Sequence, residues 1–150
     1  MAWNHVRSAC VSAAVYLGLL VGIAVGHESI ADSGVQTVST EQLVPVFGGG
    51  ITLIDIRRAD EWRATGVIAG SHLITAFDAE GRLRPTFLAE VAAVSAPDRP
   101  VALLCRSGNR SAAAARLLTA QSGFRTVYSV AGGMNDWLRE GRPVDDCRSC

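Results

Sequence analysis

The run Val101-Ala102-Leu103-Leu104-Cys105-Arg106-Ser107-Gly108-Asn109-Arg110-Ser111 sets a thiol between an apolar stretch and a polar, glycine-containing turn. The thiolate of such a residue is a strong nucleophile and makes covalent intermediates. After Ser111 the chain continues as Ala112-Ala113-Ala114-Ala115-Arg116-Leu117-Leu118, a segment of high helix propensity. Cys105 therefore belongs beneath the amino terminus of a helix, where unpaired N–H groups and the helix dipole attract an anion. Arg106 and Arg110 bring two permanent cations to the same turn. Gly108 supplies the positive φ or close backbone approach that a loop needs to wrap a ligand. The plainer alternatives are a cysteine packed as a small hydrophobe and an Arg110 that is only a solvated helix-start residue. Strand, loop, glycine and arginines together favour the nucleophile.

Several elements must hold this turn in place. Val101–Leu104 shows no polar alternation, the pattern of a parallel strand buried on both faces. Ile51-Thr52-Leu53-Ile54-Asp55-Ile56 is a second such run, and Asp55 at its carboxyl end is costly unless Arg57 or Arg58 pairs with it. Val35–Val38 alternates as an edge strand does, while Ser71–Ile74 and Thr126–Val130 read as two more strands. Between them the sequence predicts a helix capped by Thr40 and ended by Pro45 and Gly48–Gly50. Another begins at Ala59 with acidic residues in its first turn and closes at Gly66. A third runs from Pro85, as its first residue, to Val94. Two more cover Ser111–Gln121, stopped by Gly123, and Gly132–Leu138, ended by Gly141 and Pro143. This alternation predicts an α/β domain with a mainly parallel central sheet flanked by helices. Ligands of such sheets bind beyond the carboxyl ends of strands, where Cys105 and Asp55 both fall.

A chain of 150 residues suffices for one domain with a sizeable core. Its 14 basic residues balance 14 acidic ones, so no net field steers it to nucleic acid. All the basic residues are arginine, which excludes Schiff-base chemistry and lysine bases. Residues 1–26 are of different material: Arg7, then the apolar run Ala9–Gly26 with small residues at Ala24 and Gly26. This pattern predicts an export signal cleaved after Gly26, the alternative being an uncleaved membrane anchor, since the run is close to the ~18 residues that span a bilayer. Either reading places the domain outside the cytoplasm, in the periplasm if the signal is cleaved. Membrane association is expected only if the segment stays attached. The organisation expected is a signal or anchor at 1–26, a lead-in at 27–34, a domain at 35–144 and a tail at 145–150. Cleavage removes Cys10 and leaves 13 arginines against 14 acidic residues, a formal charge of −1. It also leaves three cysteines, an odd number in an oxidising compartment. Cys147 and Cys150 are close enough to pair with each other as a redox pair, which keeps Cys105 free. Half of a metal site and a chance feature of a loose terminus are the other readings of that tail.

The chain resembles the rhodanese family of single-domain sulfurtransferases. The resemblance is carried by Leu53-Ile54-Asp55-Ile56-Arg57 with Glu61-Trp62, by Gly66 to Gly70, by the loop Cys105–Ser111, and by Ala131-Gly132-Gly133-Met134-Asn135-Asp136-Trp137. Together these span about residues 35–144. One segment departs from the family pattern, Gly-His-Ile-Pro-Gly, with Val67 and Ala69 in place of its His and Pro. The resemblance implies a three-layer rhodanese-like fold and a ping-pong sulfur transfer. Cys105 would attack a sulfane sulfur of a thiosulfate-like donor and become a persulfide, then pass the outer sulfur to cyanide or a thiol, a protein thiol included. Arg106, Ser107, Gly108, Asn109 and Arg110 would bind the anionic donor, with Asp55 and Arg57 in support. The chemistry requires no metal or organic cofactor, and His5, His27 and His72 lack metal-ligand spacing.

Two rivals share these features. Cysteine phosphatases and arsenate reductases of related fold use Cys-x5-Arg, whereas Cys105 to Arg110 is Cys-x4-Arg, a smaller ring better sized for a sulfur atom. A non-catalytic sulfur carrier would present Cys105 to one partner, and both loop arginines argue instead for turnover.

Overall fold

In the computed structural model, which describes residues 34–150, the run Val101–Leu104 is a strand buried along its whole length. It is the centre of a five-stranded sheet built from β1 (Val35–Val38), β2 (Thr52–Asp55), β3 (His72–Leu73), β4 (Val101–Leu104) and β5 (Val127–Val130). Their order across the sheet is β1-β5-β4-β2-β3, and all four pairings are parallel. The apolar strands sit in the middle and the alternating Val35–Val38 at one edge, as their patterning demands. The expected third strand shrinks to two residues, an edge too short to recruit another chain.

Helices α1 (Thr40–Gly48), α2 (Ala59–Thr65), α3 (Phe87–Val94) and α4 (Asn109–Ser122) connect the strands, and α5 (Gly133–Arg139) follows the last of them. Two cores result, one on each face of the sheet. On one face Ile54, Leu103 and Val127 pack with Phe87 and Val91 of α3 and Ala114, Ala115 and Leu118 of α4. On the other, Leu53, Ala102, Leu104 and Val130 pack with Leu43 of α1 and Met134 and Trp137 of α5. The domain is therefore three layers deep, the rhodanese-like arrangement of a parallel sheet between helices.

Four details differ from the sequence reading, each for a local reason. The cap of α1 is Ser39, whose hydroxyl accepts from the Gln42 N–H while the Gln42 side chain accepts from the Ser39 N–H, so Thr40 is the first helical residue. Pro45 lies inside α1 and does not end it. Pro85 and Thr86 form a turn ahead of α3, which starts at Phe87. Helix α4 begins at Asn109, two residues earlier than expected, because Gly108 in the left-handed region makes the turn without a side-chain cap.

The chain end is part of the domain. Val67 and Asp145 exchange backbone hydrogen bonds of 3.0 and 2.8 Å, and Cys147 is buried. Arg63 Nη1 donates to the backbone oxygen of Cys150 at 2.8 Å. The expected boundary at residue 144 thus cuts through a docked segment, and the altered Gly66–Gly70 stretch is where it docks. The signal or anchor read in residues 1–26, Cys10 with it, lies outside the described residues.

Candidate active site

Cys105 follows β4 directly and is fully buried. Its Sγ accepts hydrogen bonds from the N–H of Gly108 at 3.1 Å and of Ser111 at 3.4 Å, and the Ser111 hydroxyl lies 3.7 Å away. Sulfur therefore sits in a nest of backbone donors at the start of α4, which favours a negative charge there. Gly108 makes the nest: its φ of +96° aims its N–H at the sulfur, and a Cβ would press on the backbone of Val130, Ala131 and Gly132. Its N–H is thus engaged by the thiol sulfur itself.

The far side of the loop is held by α5. The N–H groups of Met134 and Asn135 donate to the carbonyl oxygens of Cys105 and Arg106 at 2.8 and 3.0 Å. With its carbonyls bound from behind, the loop turns its N–H groups toward Sγ. Gly133 allows the approach, since a Cβ there would collide with the Cys105 carbonyl oxygen. Two hydroxyls complete the surroundings: Ser111 Oγ lies 2.9 Å from both the Gly108 carbonyl oxygen and Ser129 Oγ.

A cleft of about 640 Å3 opens over the loop. Arg106, Ser107, Asn109 and Arg110 line one side, Arg58, Asp60 and Glu61 of the α2 end another, and Phe77, Asp78, Ala79 and Gly81 the third. The loop arginines differ in state. Arg106 is exposed and makes no ion pair among the described residues. Arg110 is claimed by Glu61, which accepts from Nη1 at 2.8 Å and from Nη2 at 2.6 Å. Both Arg110 and Glu61 are partly buried, so this fork is better shielded from water than a surface pair. Burial pushes the Glu61 carboxyl up, but the hydrogen bonds from Arg110 and the Arg58 N–H and both arginine charges outweigh it and hold it below the ordinary carboxylate range. The stability this pair confers is fully present above the ordinary value of about 4.3 and is lost as pH falls through the depressed one.

Asp55 and Arg57 meet each other and stay away from the cleft. Arg57 Nε and Nη2 donate to the Asp55 carboxylate at 2.9 and 2.6 Å, and both side chains are buried. The same guanidinium donates to Thr65 Oγ1 at 2.6 Å and to the Gly66 carbonyl at 2.8 Å, so it ties the end of α2 to the end of β2. Helix α2 in turn carries Glu61 to Arg110. Cys147 and Cys150 form a disulfide, and Cys105 is the free cysteine among the described residues.

The sequence offered Arg58 as a partner for Asp55, but it pairs with Asp60 and Glu61 instead, and no place in the site was given to Glu61, Ser111, Ser129 or Gly133. The acidic first turn of α2 and the paired glycines were visible signals, but their partners lie far away in the chain.

A rhodanese-like domain model matches residues 41–140. The chain belongs to the rhodanese family. This rhodanese is 36% identical over 96 residues to the thiosulfate sulfurtransferase GlpE of Actinobacillus pleuropneumoniae, covering 64% of this chain and 79% of that one. It is 27% identical over 121 residues to rhodanese-like domain-containing protein 17 of Arabidopsis thaliana, covering 77% and 76%. Among solved structures it is similar to the polysulfide-sulfur transferase homodimer of Wolinella succinogenes, with a TM-score of 0.60 at 29% identity, covering 77% of this chain and 82% of that one.

Proposed function

We propose that this rhodanese moves a sulfane sulfur from a small anionic, thiosulfate-like donor through a persulfide on Cys105 to a thiol or cyanide. The observation that carries the reading is the nest of N–H donors closing on Sγ. Cys105 as thiolate attacks the outer sulfur of the donor, the S–S bond breaks, and sulfite leaves with the bonding pair. The acceptor then attacks the outer sulfur of the persulfide, and the thiolate returns as leaving group. Two N–H groups and the helix terminus stabilise that thiolate at both ends of the cycle. Cys105 is buried, and the exposed side chains of Arg106 and Ser107 line the cleft from which a donor would approach. Relatives named for thiosulfate and polysulfide sulfur transfer support the same class of reaction. A phosphatase is disfavoured because Cys105 to Arg110 is Cys-x4-Arg, one residue shorter than the loop that encloses a phosphoryl group. We also place the domain in an oxidising compartment, on the apolar run at Ala9–Gly26 and the Cys147–Cys150 disulfide.

Intact mass tests the reading. Thiosulfate is expected to add the mass of one sulfur atom to the protein, and cyanide to remove it with formation of thiocyanate. Absence of the adduct at saturating thiosulfate overturns the proposal. An adduct that no small acceptor discharges identifies a carrier.

The charges lining the cleft predict how the donor is held. Three arginines face three carboxylates, Asp60, Glu61 and Asp78, so the cleft has no net charge. Glu61→Gln keeps one acceptor for Arg110 and removes a negative charge, leaving three arginines against two carboxylates. The KM for thiosulfate is expected to fall about fivefold, the worth of roughly 1 kcal/mol, with kcat little changed and the gain fading as salt is added. An unchanged KM at low ionic strength would show that Arg110 does not reach the donor.

A further inference from the structure

We infer that Ser129 is a positioning residue, its buried hydroxyl holding the Ser111 hydroxyl ready to donate to the Cys105 thiolate; this rests on the reading of Cys105 as the sulfur-bearing nucleophile. Ser129 is out of character for its place. It lies in β5, inside a parallel sheet, next to Val130 and two residues from Val127, both fully buried, and is itself only 2% exposed. A parallel strand in that position is normally apolar, and burying a hydroxyl there is costly unless it is bonded. The partner its side chain has among the described residues is Ser111 Oγ, 2.9 Å away.

Counting protons gives the pair a direction. A hydroxyl has one proton to give and two lone pairs to receive with. Ser111 Oγ has three neighbours: the Gly108 carbonyl oxygen at 2.9 Å, Ser129 Oγ at 2.9 Å and Cys105 Sγ at 3.7 Å. While Cys105 is a thiol, Ser111 gives its proton to the Gly108 carbonyl and can receive from both Ser129 and the S–H. Once Cys105 is a thiolate, no proton comes from sulfur, and the Ser111 proton can turn to it. The Gly108 carbonyl is not abandoned by that turn, since it keeps the Ala112 N–H at 3.0 Å. Ser129, with no other acceptor for its proton among the described residues, donates to Ser111 in both states.

That fixed donation polarises the Ser111 O–H into a stronger donor. The gain is larger when the acceptor is the charged sulfur than when it is the neutral Gly108 carbonyl, so it favours the thiolate. Ser129 never touches the sulfur or the donor, so its effect passes entirely through Ser111.

The test compares Ser129→Ala, Ser129→Thr, Ser111→Ala and the double alanine variant of the full chain, with circular dichroism as the check on folding. The thiolate of Cys105 is followed by its ultraviolet absorbance against pH, with Cys105→Ser in each background as baseline. In Ser129→Ala the thiolate titration of Cys105 is expected to move up in pH, its ionisation constant falling about threefold, with kcat/KM for thiosulfate on the acid side of that titration falling in step. Raising the pH should restore the wild-type rate, which a general loosening of the site would not allow. Ser129→Thr, which keeps the hydroxyl, should titrate as wild type does. In the Ser111→Ala background, Ser129→Ala should cause no further shift, because the only route to sulfur is gone. Overlapping titrations of Ser129→Ala and wild type, a loss equal at every pH, or additive shifts in the double variant overturn the inference. Should Ser129→Ala not fold, the Thr titration and the rates of Ser129→Cys against pH decide in the same way. The absorbance titration uses no sulfur donor, so a wild-type protein that forms no persulfide would sink the sulfur-transfer reading while leaving this result standing.

Discussion

Cys105→Ser is expected to abolish sulfur transfer and to leave the domain folded. The serine hydroxyl sits where Sγ sat and still accepts the N–H groups of Gly108 and Ser111, so the nest keeps its ligand. The expected change in stability is small, about 1 kcal/mol or less, because one buried, hydrogen-bonded group of similar shape replaces another. The chemistry, by contrast, has no substitute. A serine hydroxyl is hardly ionised at neutral pH and forms no stable bond to sulfane sulfur. Cys147 and Cys150 are tied to each other and offer no thiol. Loss should therefore be complete, read as no sulfur adduct in intact mass and no thiocyanate from thiosulfate and cyanide. Thiocyanate production near the wild-type rate would falsify the assignment of Cys105 as nucleophile.

The largest structural effect is expected at Asp55. Asp55→Asn keeps the shape of the side chain and removes its charge, leaving the Arg57 guanidinium buried without a counter-ion. Breaking a buried pair on one side typically costs about 3–5 kcal/mol, a large share of the stability of a domain this size. The damage should reach further than the pair. Arg57 also holds Thr65 and the Gly66 carbonyl, so α2 loses its anchor and Glu61 its fixed approach to Arg110. Chemical denaturation should show the loss, and Asp55→Leu combined with Arg57→Leu should recover part of it, since no lone charge is then buried. A loss below about 1 kcal/mol for Asp55→Asn would mean that Arg57 is solvated in a way its burial denies.

Much of this was readable from local pattern. Val101–Leu104 without alternation, a polar turn with glycine, and an alanine-rich helix are each short-range signals, and they place Cys105 at a strand end under a helix. The Asp55–Arg57 pair was within reach for the same reason, its members being two residues apart. What escaped was pairing at long range. Nothing near Glu61 in the chain points to Arg110, 49 residues on, and only the adjacency of β2 and β4 brings them together. Ser129 looked like an incidental polar residue in a strand until its neighbour across the layer was known. The docking of Asp145 on Val67 was hidden in the same way, because a strand bridge of one residue pair leaves no periodicity to read. Helix starts slipped by one or two residues where the turn was made by backbone conformation, at Gly108, or by a preceding serine cap, at Ser39.

The sheet order also dictates when the pieces can assemble. Among the described residues β1 is the first strand to be made and the last to be joined: its neighbour in the sheet there is β5, which follows much later in the chain. A ribosome delivers Val35–Val38 long before Val127–Val130 exists, so the early strand has no edge to join. Strands β2 and β4, by contrast, can meet as soon as β4 has emerged, and they form the seam on which the others are added. The entropy of closing so long a loop is spent only at the end, when β5 lies against β4 and offers its free side. A nascent chain stalled before Val127 would hold the Cys105 loop without the α5 amino terminus behind it and without the strand that carries Ser129. The reactive centre is thus among the last parts of the molecule to be finished.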